Sequence, residues 1–143
     1  MTRLTRSHIE KTRTHLEHID EVLRTRANSN LKGVALRTIG VMEDEWVPAS
    51  QRQVAVVPIT TGGGVIPGFA EAIVAIARHI GLNAEVTRSP DVAGIAEAYS
   101  DGNDILTMAD ETSFLAINTR SGLIANNERA TGECFATLLD MMA

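Results

Sequence analysis

The sequence predicts a single α/β domain: a mainly parallel βαβαβ sheet, a C-terminal hairpin plus helix, and an N-terminal amphipathic helix. Three observations carry this. "VAVVPI" (54–59) is a near-continuous apolar run, the pattern of a strand covered on both faces. Two further short strands, "AEVTR" (84–88) and "DILTMA" (104–109), alternate with helical segments, the order that gives parallel strands with right-handed crossovers. The chain has 143 residues, 44% apolar and 22% charged, which suits one domain with a real core.

Residues 7–26 read as the amphipathic helix. Ser7 and Glu10 have capping-box spacing, and Ile9, Leu16, Ile19 and Leu23, with Val22, form a narrow apolar stripe. "ANSN" (27–30) ends it, and "LKGVALRTIG" adds a short helix. The acids, Pro48 and Ser50 of "EDEWVPASQR" mark a linker, so the organisation is an arm (1–42), a linker (43–53) and an α/β body (54–143). In the body, Pro67 suits the first turn of a helix running to Ile80, with Phe69, Ile73, Ile76, Ala77 and Ile80 inward and Gly81 as its stop. Ser89-Pro90-Asp91 opens a second helix that ends at Asp101-Gly102. "SFLAIN" (113–118) and "LIAN" (123–126) form a hairpin. Thr131 caps a last helix with Phe135, Leu138, Leu139 and Met142 inward.

Composition removes several functions. Aromatics are 3% of the chain, too few for the stacking platforms that bind single-stranded nucleic acid. Residues 1–40 hold eight Lys/Arg against four Asp/Glu, and residues 41–143 hold five against fourteen. The basic arm reads as a helix facing the acidic body or a partner, with nucleic acid a weaker reading. The single cysteine, Cys134, allows no internal disulfide or thiolate metal site and reads as a buried, inert thiol. The first helix carries His8, His15 and His18, but no carboxylate completes a metal site. With no signal-peptide h-region and no long apolar span, the expected location is the cytoplasm.

Three places could carry chemistry. "TTGGG" (60–64) follows the first strand, at the carboxyl edge where open α/β sheets bind ligands. It is neither G-x-G-x-x-G nor a Walker loop. Its glycines let backbone N–H groups approach a ligand, the next helix offers its positive end, and Thr60 and Thr61 add hydroxyls. A tight turn alone would need one glycine. Asp110 follows the third strand at the same edge, where a carboxylate could bind an amine or simply cap a turn. Asn126 and Asn127 end the hairpin and could fix a polar ligand or form a turn. The charges divide the work: Thr60, Thr61, Gly62, Gly63 and Gly64 would take an anionic group and Asp110 an ammonium, as an amino-acid-like ligand requires.

"VAVVPITTGGGVIPGF", "SPDVAG", "ILTMADETSFLAIN" and "LIANNERATG", with the opening "LT" and "LKG" at 31–33, resemble the N-terminal domain of the pyrrolysine-biosynthesis dehydrogenases. The resemblance implies a domain that holds a lysine carrying a methylornithyl group on its side-chain nitrogen, with NAD carried by a separate Rossmann domain. It implies substrate contacts at Leu4, Thr60 to Gly64, Asp110, Asn126 and Asn127. Gly63 departs from the polar residue expected there. No dinucleotide fingerprint occurs in the chain, so no cofactor is expected in it and no dehydrogenase activity from it alone. NAD would enter only if a partner chain supplied a Rossmann domain. The expected role is a stand-alone domain for an amino-acid-like or amine-bearing molecule, or the substrate half of a split dehydrogenase. The alternative is a non-catalytic interaction or oligomerisation module that has lost the site. The apolar tail "FATLLDMMA" leads to the further expectation of a homo-oligomer.

Overall fold

The computed structural model describes residues 5–60 and 66–143. Four helices come first: α1 (Arg6–Thr14), α2 (Leu16–Ala27), α3 (Leu31–Thr38) and α4 (Glu43–Ser50). The body follows as β1 (Gln53–Val57), α5 (Phe69–His79), β2 (Asn83–Val86), α6 (Asp91–Ser100), β3 (Ile105–Ala109), β4 (Phe114–Asn118), β5 (Ile124–Asn126) and α7 (Asn127–Met142). The strands form one sheet in the order β2-β1-β3-β4-β5. β1 is parallel to both β2 and β3, while β4 and β5 add antiparallel. The βαβαβ unit and the hairpin are therefore parts of one mixed sheet. β1 lies inside it, and β3 takes the middle place and joins the two halves.

β1 shows why this topology follows from the sequence. Val54 and Val56 pack with Val74, Ala77 and Ala84, under α5. Ala55 and Val57 pack with Ala98 and Leu106, under α6. Period-two alternation sends neighbouring side chains to opposite faces, so an unbroken apolar strand needs a helix on each. The α6 side is close: a Cβ on Gly94 would fall 2.2 Å from the Ser89 carbonyl oxygen and 2.8 Å from Val57, so only glycine fits there.

The arm differs from expectation. The helix of 7–26 is two helices meeting at His15, whose φ of −114° and ψ of 11° lie outside the helical region. "TRTH" accounts for the break. Thr12 and Thr14 donate their hydroxyls to the carbonyls of His8 and Glu10, and His15 Nδ1 lies 2.8 Å from the Lys11 carbonyl. Such back-bonding weakens and bends a helix. The N-cap is Thr5 rather than Ser7, with its N–H donating to His8 Nδ1. Most of the 43–53 stretch, expected as a linker, is helical as α4 (Glu43–Ser50), and Trp46 packs its indole nitrogen near Gly81. The last helix starts at Asn127 with Asn126, not Thr131, as its cap.

A buried carboxylate fixes the arm to the body. Asp20 is 6% exposed. It accepts the Leu31 N–H at 2.8 Å and lies 2.9 Å from His79 Nε2 at the end of α5. Burial alone would raise its pKa. The Leu31 and His79 hydrogen bonds and the His79 and Arg24 charges outweigh that and hold the carboxyl below its ordinary value of 3.8. Glu97 is held at about 2, chiefly by the Arg88 N–H, with Ser89 and the Arg88 side chain adding to it. Both groups bind protons less readily folded than unfolded. Their contribution is therefore full above their unfolded values and lost as the pH falls through the folded ones. Urea unfolding followed by Trp46 fluorescence should show stability falling from about pH 5 to about pH 2. Asp20→Asn should cost about 1–3 kcal/mol at neutral pH and flatten part of that acid limb. A neutral-pH stability equal to the parent's would show that the pair does not hold the arm.

Candidate functional site

A cleft of about 960 Å³ opens at the carboxyl ends of β1 and β3. Its place follows from the crossovers. The chain leaves β1 through α5 on one face and returns to β3 through α6 on the other, and the strand ends part at such a switch point. Val56, Val57, Thr107 and Met108 line it from the strands, and Phe69, Ile73 and Ile76 from α5. Ile9 and Thr12 reach it from α1, so the arm borders the cleft. Phe69 and Phe114 meet edge to face, ring centres 5.8 Å apart, and tie α5 to β4.

Polar groups gather on the β3–β4 side. Asp110 begins the turn between those strands. Its Oδ1 accepts the Thr112 N–H at 2.7 Å, the Ser113 N–H at 2.7 Å and the Thr112 hydroxyl at 2.9 Å. These bonds, the Thr112 N–H foremost, hold its carboxyl below the ordinary value of 3.8, so the group is ionised at neutral pH. All three fall on one oxygen. Among the described residues, Oδ2 accepts no hydrogen bond, and Asp110 lines the cleft. The turn role and the ligand role thus use different oxygens. Asn126 and Asn127 also line the cleft. Asn126 spends its Oδ1 on the Glu128 N–H as cap of α7, and Asn127 Oδ1 accepts the Thr131 hydroxyl at 3.4 Å. Each retains its amide NH₂ as a donor.

The structure brings Asp110, Asn126 and Asn127 to one cavity. Thr60 stands apart from it. Its N–H donates to Asp91 Oδ1 at 2.6 Å and its hydroxyl donates to Asp91 Oδ2. The two donors of Thr60, expected to meet a ligand anion, are thus engaged by an internal carboxylate. Leu4, Thr61, Gly62, Gly63 and Gly64 lie outside the described residues. No group of three or more His, Cys, Asp or Glu side chains suited to a metal ion occurs among the described residues.

Asp91 is the residue that sequence reasoning passed over. "SPD" before a helix reads as an ordinary helix start. Here Asp91 has a left-handed φ of 53° at the head of α6, and its N–H donates to the Pro58 carbonyl at 2.8 Å. A non-glycine residue holds that conformation only where its surroundings over-determine it. Thr107 was missed as well: it is 6% exposed, and its hydroxyl donates to the Leu115 carbonyl at 3.0 Å beneath the cleft. Only its place in an apolar strand could have flagged it.

The family described as "Pyrrolysine biosynthesis protein PylD, N-terminal domain" matches residues 8–125. The chain belongs to that family. Among curated proteins it is similar to a pyrrolysine synthase of Methanosarcina acetivorans, 36% identical over 138 residues, covering 96% of this chain and 51% of the relative. It is also similar to a pyrrolysine synthase of Methanosarcina barkeri, 33% identical over 123 residues, covering 86% of this chain and 44% of the relative. The chain spans about half the length of these relatives. Within this PylD-type domain the Thr60–Asp91 contact is open to a direct check. Asp91→Ala should speed amide hydrogen exchange at Thr60 and leave β3 unchanged. Equal exchange in both proteins would show that Asp91 does not hold the loop stem.

Proposed function

We propose that this domain holds an amino-acid-like or amine-bearing small molecule in the cleft at the ends of β1 and β3. One observation supports it above others: an ionised carboxylate, fixed through one oxygen, leaves the other without a partner among the described residues, at the edge of a largely apolar cavity. A ligand ammonium would donate to Asp110 Oδ2. The aliphatic part of the ligand would lie on Ile73, Ile76 and Met108, and the amides of Asn126 and Asn127 would donate to its polar groups. The names of the relatives agree with a substrate of this kind, since pyrrolysine is itself an amino acid.

The domain acts in this reading by binding and orienting, not by redox chemistry. In a dinucleotide-binding domain an acidic side chain near the end of the second strand holds the ribose. Here β2 ends at Val86, followed by Thr87 and Arg88, and the Arg88 guanidinium is paired with Glu97 at 3.0 Å. These residues do not fit NAD, and no step is assigned to it on this chain. A dehydrogenase role would need a second domain, which the greater length of the relatives makes a reasonable companion.

Isothermal calorimetry with L-lysine, L-ornithine and 1,5-diaminopentane tests the reading. At least one amine should bind, and Asp110→Asn should weaken it roughly tenfold. It should leave the melting temperature nearly unchanged, because the amide oxygen can still accept the Thr112 and Ser113 N–H groups. Equal affinity in parent and variant would defeat the proposal.

A further inference from the structure

The cleft leaves one feature of the molecule without a role: a second apolar stripe on α7. Cys134, Leu138 and Met141 form the half-buried stripe of that helix, which packs on α2 and α3. Phe135, Leu139 and Met142, at spacings of four and three, form another and are 63%, 69% and 46% exposed. The expectation that Phe135, Leu139 and Met142 point inward is thus corrected. A helix at a domain surface ordinarily hides one stripe and shows a polar face to water. α7 shows an aromatic ring, a leucine and a methionine instead, the residue types that mark an interface.

Two facts say what belongs there. The family's N-terminal domain match stops at residue 125, two residues before α7 begins. The match to the Methanosarcina acetivorans relative covers 96% of the chain, so it cannot leave out α7, yet it accounts for only 51% of that relative. α7 is therefore the element that lies between the shared N-terminal domain and the other half of the relatives. We propose that the Phe135–Leu139–Met142 face of α7 is the docking surface for a second folded domain, the counterpart of that remaining half. The contact is apolar at its centre. Arg37 and Asp140, 3.4 Å apart, stand at its border, and Glu133, paired with Arg129, stands beside its first turn. This surface is independent of the ligand reading, because none of its three side chains lines the cleft.

The test compares side-chain access in two proteins. One is this chain. The other is a chimera in which this chain replaces the matching N-terminal half of the Methanosarcina acetivorans pyrrolysine synthase. Covalent linkage supplies a high effective concentration, so even a weak interface is filled. Hydroxyl-radical footprinting should show Phe135 and Met142 oxidised severalfold more slowly in the chimera. Tyr99, 69% exposed on α6, and Met42, 68% exposed before α4, are reference positions that should not change. Phe135→Glu/Leu139→Glu should leave the melting temperature of this chain unchanged and restore Met142 oxidation in the chimera. Asp110→Asn should leave the footprint intact, which separates this proposal from the ligand one. Unchanged oxidation in the chimera overturns the assignment. So does a large loss of stability in the double variant of this chain, since the face would then serve this domain's own fold. Light scattering that shows this chain alone as a dimer, made monomeric by the double variant, would assign the face to a second copy instead.

Discussion

The whole arrangement depends on the double-sided burial of β1. Val54, Ala55, Val56 and Val57 are each no more than 4% exposed. Such a strand can be satisfied only with hydrogen-bonded neighbours on both edges and apolar cover on both faces. The parallel partners β2 and β3 meet the first need. Helices α5 and α6 on opposite faces meet the second. Once the two crossovers lie on opposite faces, the loops leaving β1 and β3 diverge, and a crevice at their carboxyl ends follows without further instruction. The site is a geometric consequence of the core.

That consequence explains how an apolar cavity and an ionised carboxylate come to share one edge. The cleft is walled by the ends of the same strands and helix that make the core, so its lining is mostly aliphatic. Polarity enters where the chain must turn. The β3–β4 turn needs an acceptor for two N–H groups that leave the ladder, and Asp110 supplies it with one oxygen. Helix α7 needs a cap, and Asn126 supplies it. Turn chemistry therefore places polar side chains at the rim, and the atoms they do not spend on the backbone are those that can meet a ligand. A residue need not choose between holding a turn and binding a molecule when it has two oxygens.

The same division sets what could be read in advance. The parallel unit, the hairpin and the sheet-edge position of Asp110 were legible because they rest on local signals: an apolar run, alternation of elements, and turn residues. The two-helix arm was not, because helical periodicity runs straight through "TRTH" and the break depends on which carbonyls the two threonines and His15 engage. Asp20 was hidden for a related reason. It sits on a charged helix and reads as solvated, while its burial depends on His79, 59 residues away. The apolar content of α7 was visible, but not which of two adjacent stripes faces the body. Asp91 was the deepest miss, since left-handed backbone at a helix start leaves no mark in composition.

Asp91 also changes how the glycine loop is to be understood. Read alone, "TTGGG" offers donors to an anion. In the folded domain the stem of that loop already faces an anion, the carboxylate of Asp91, which engages both the N–H and the hydroxyl of Thr60. A charge so placed does two things by simple electrostatics. It anchors the start of the loop to the head of α6, and it makes the stem less welcoming to a second anion. Both effects come from a carboxylate outside the residues that line the cleft.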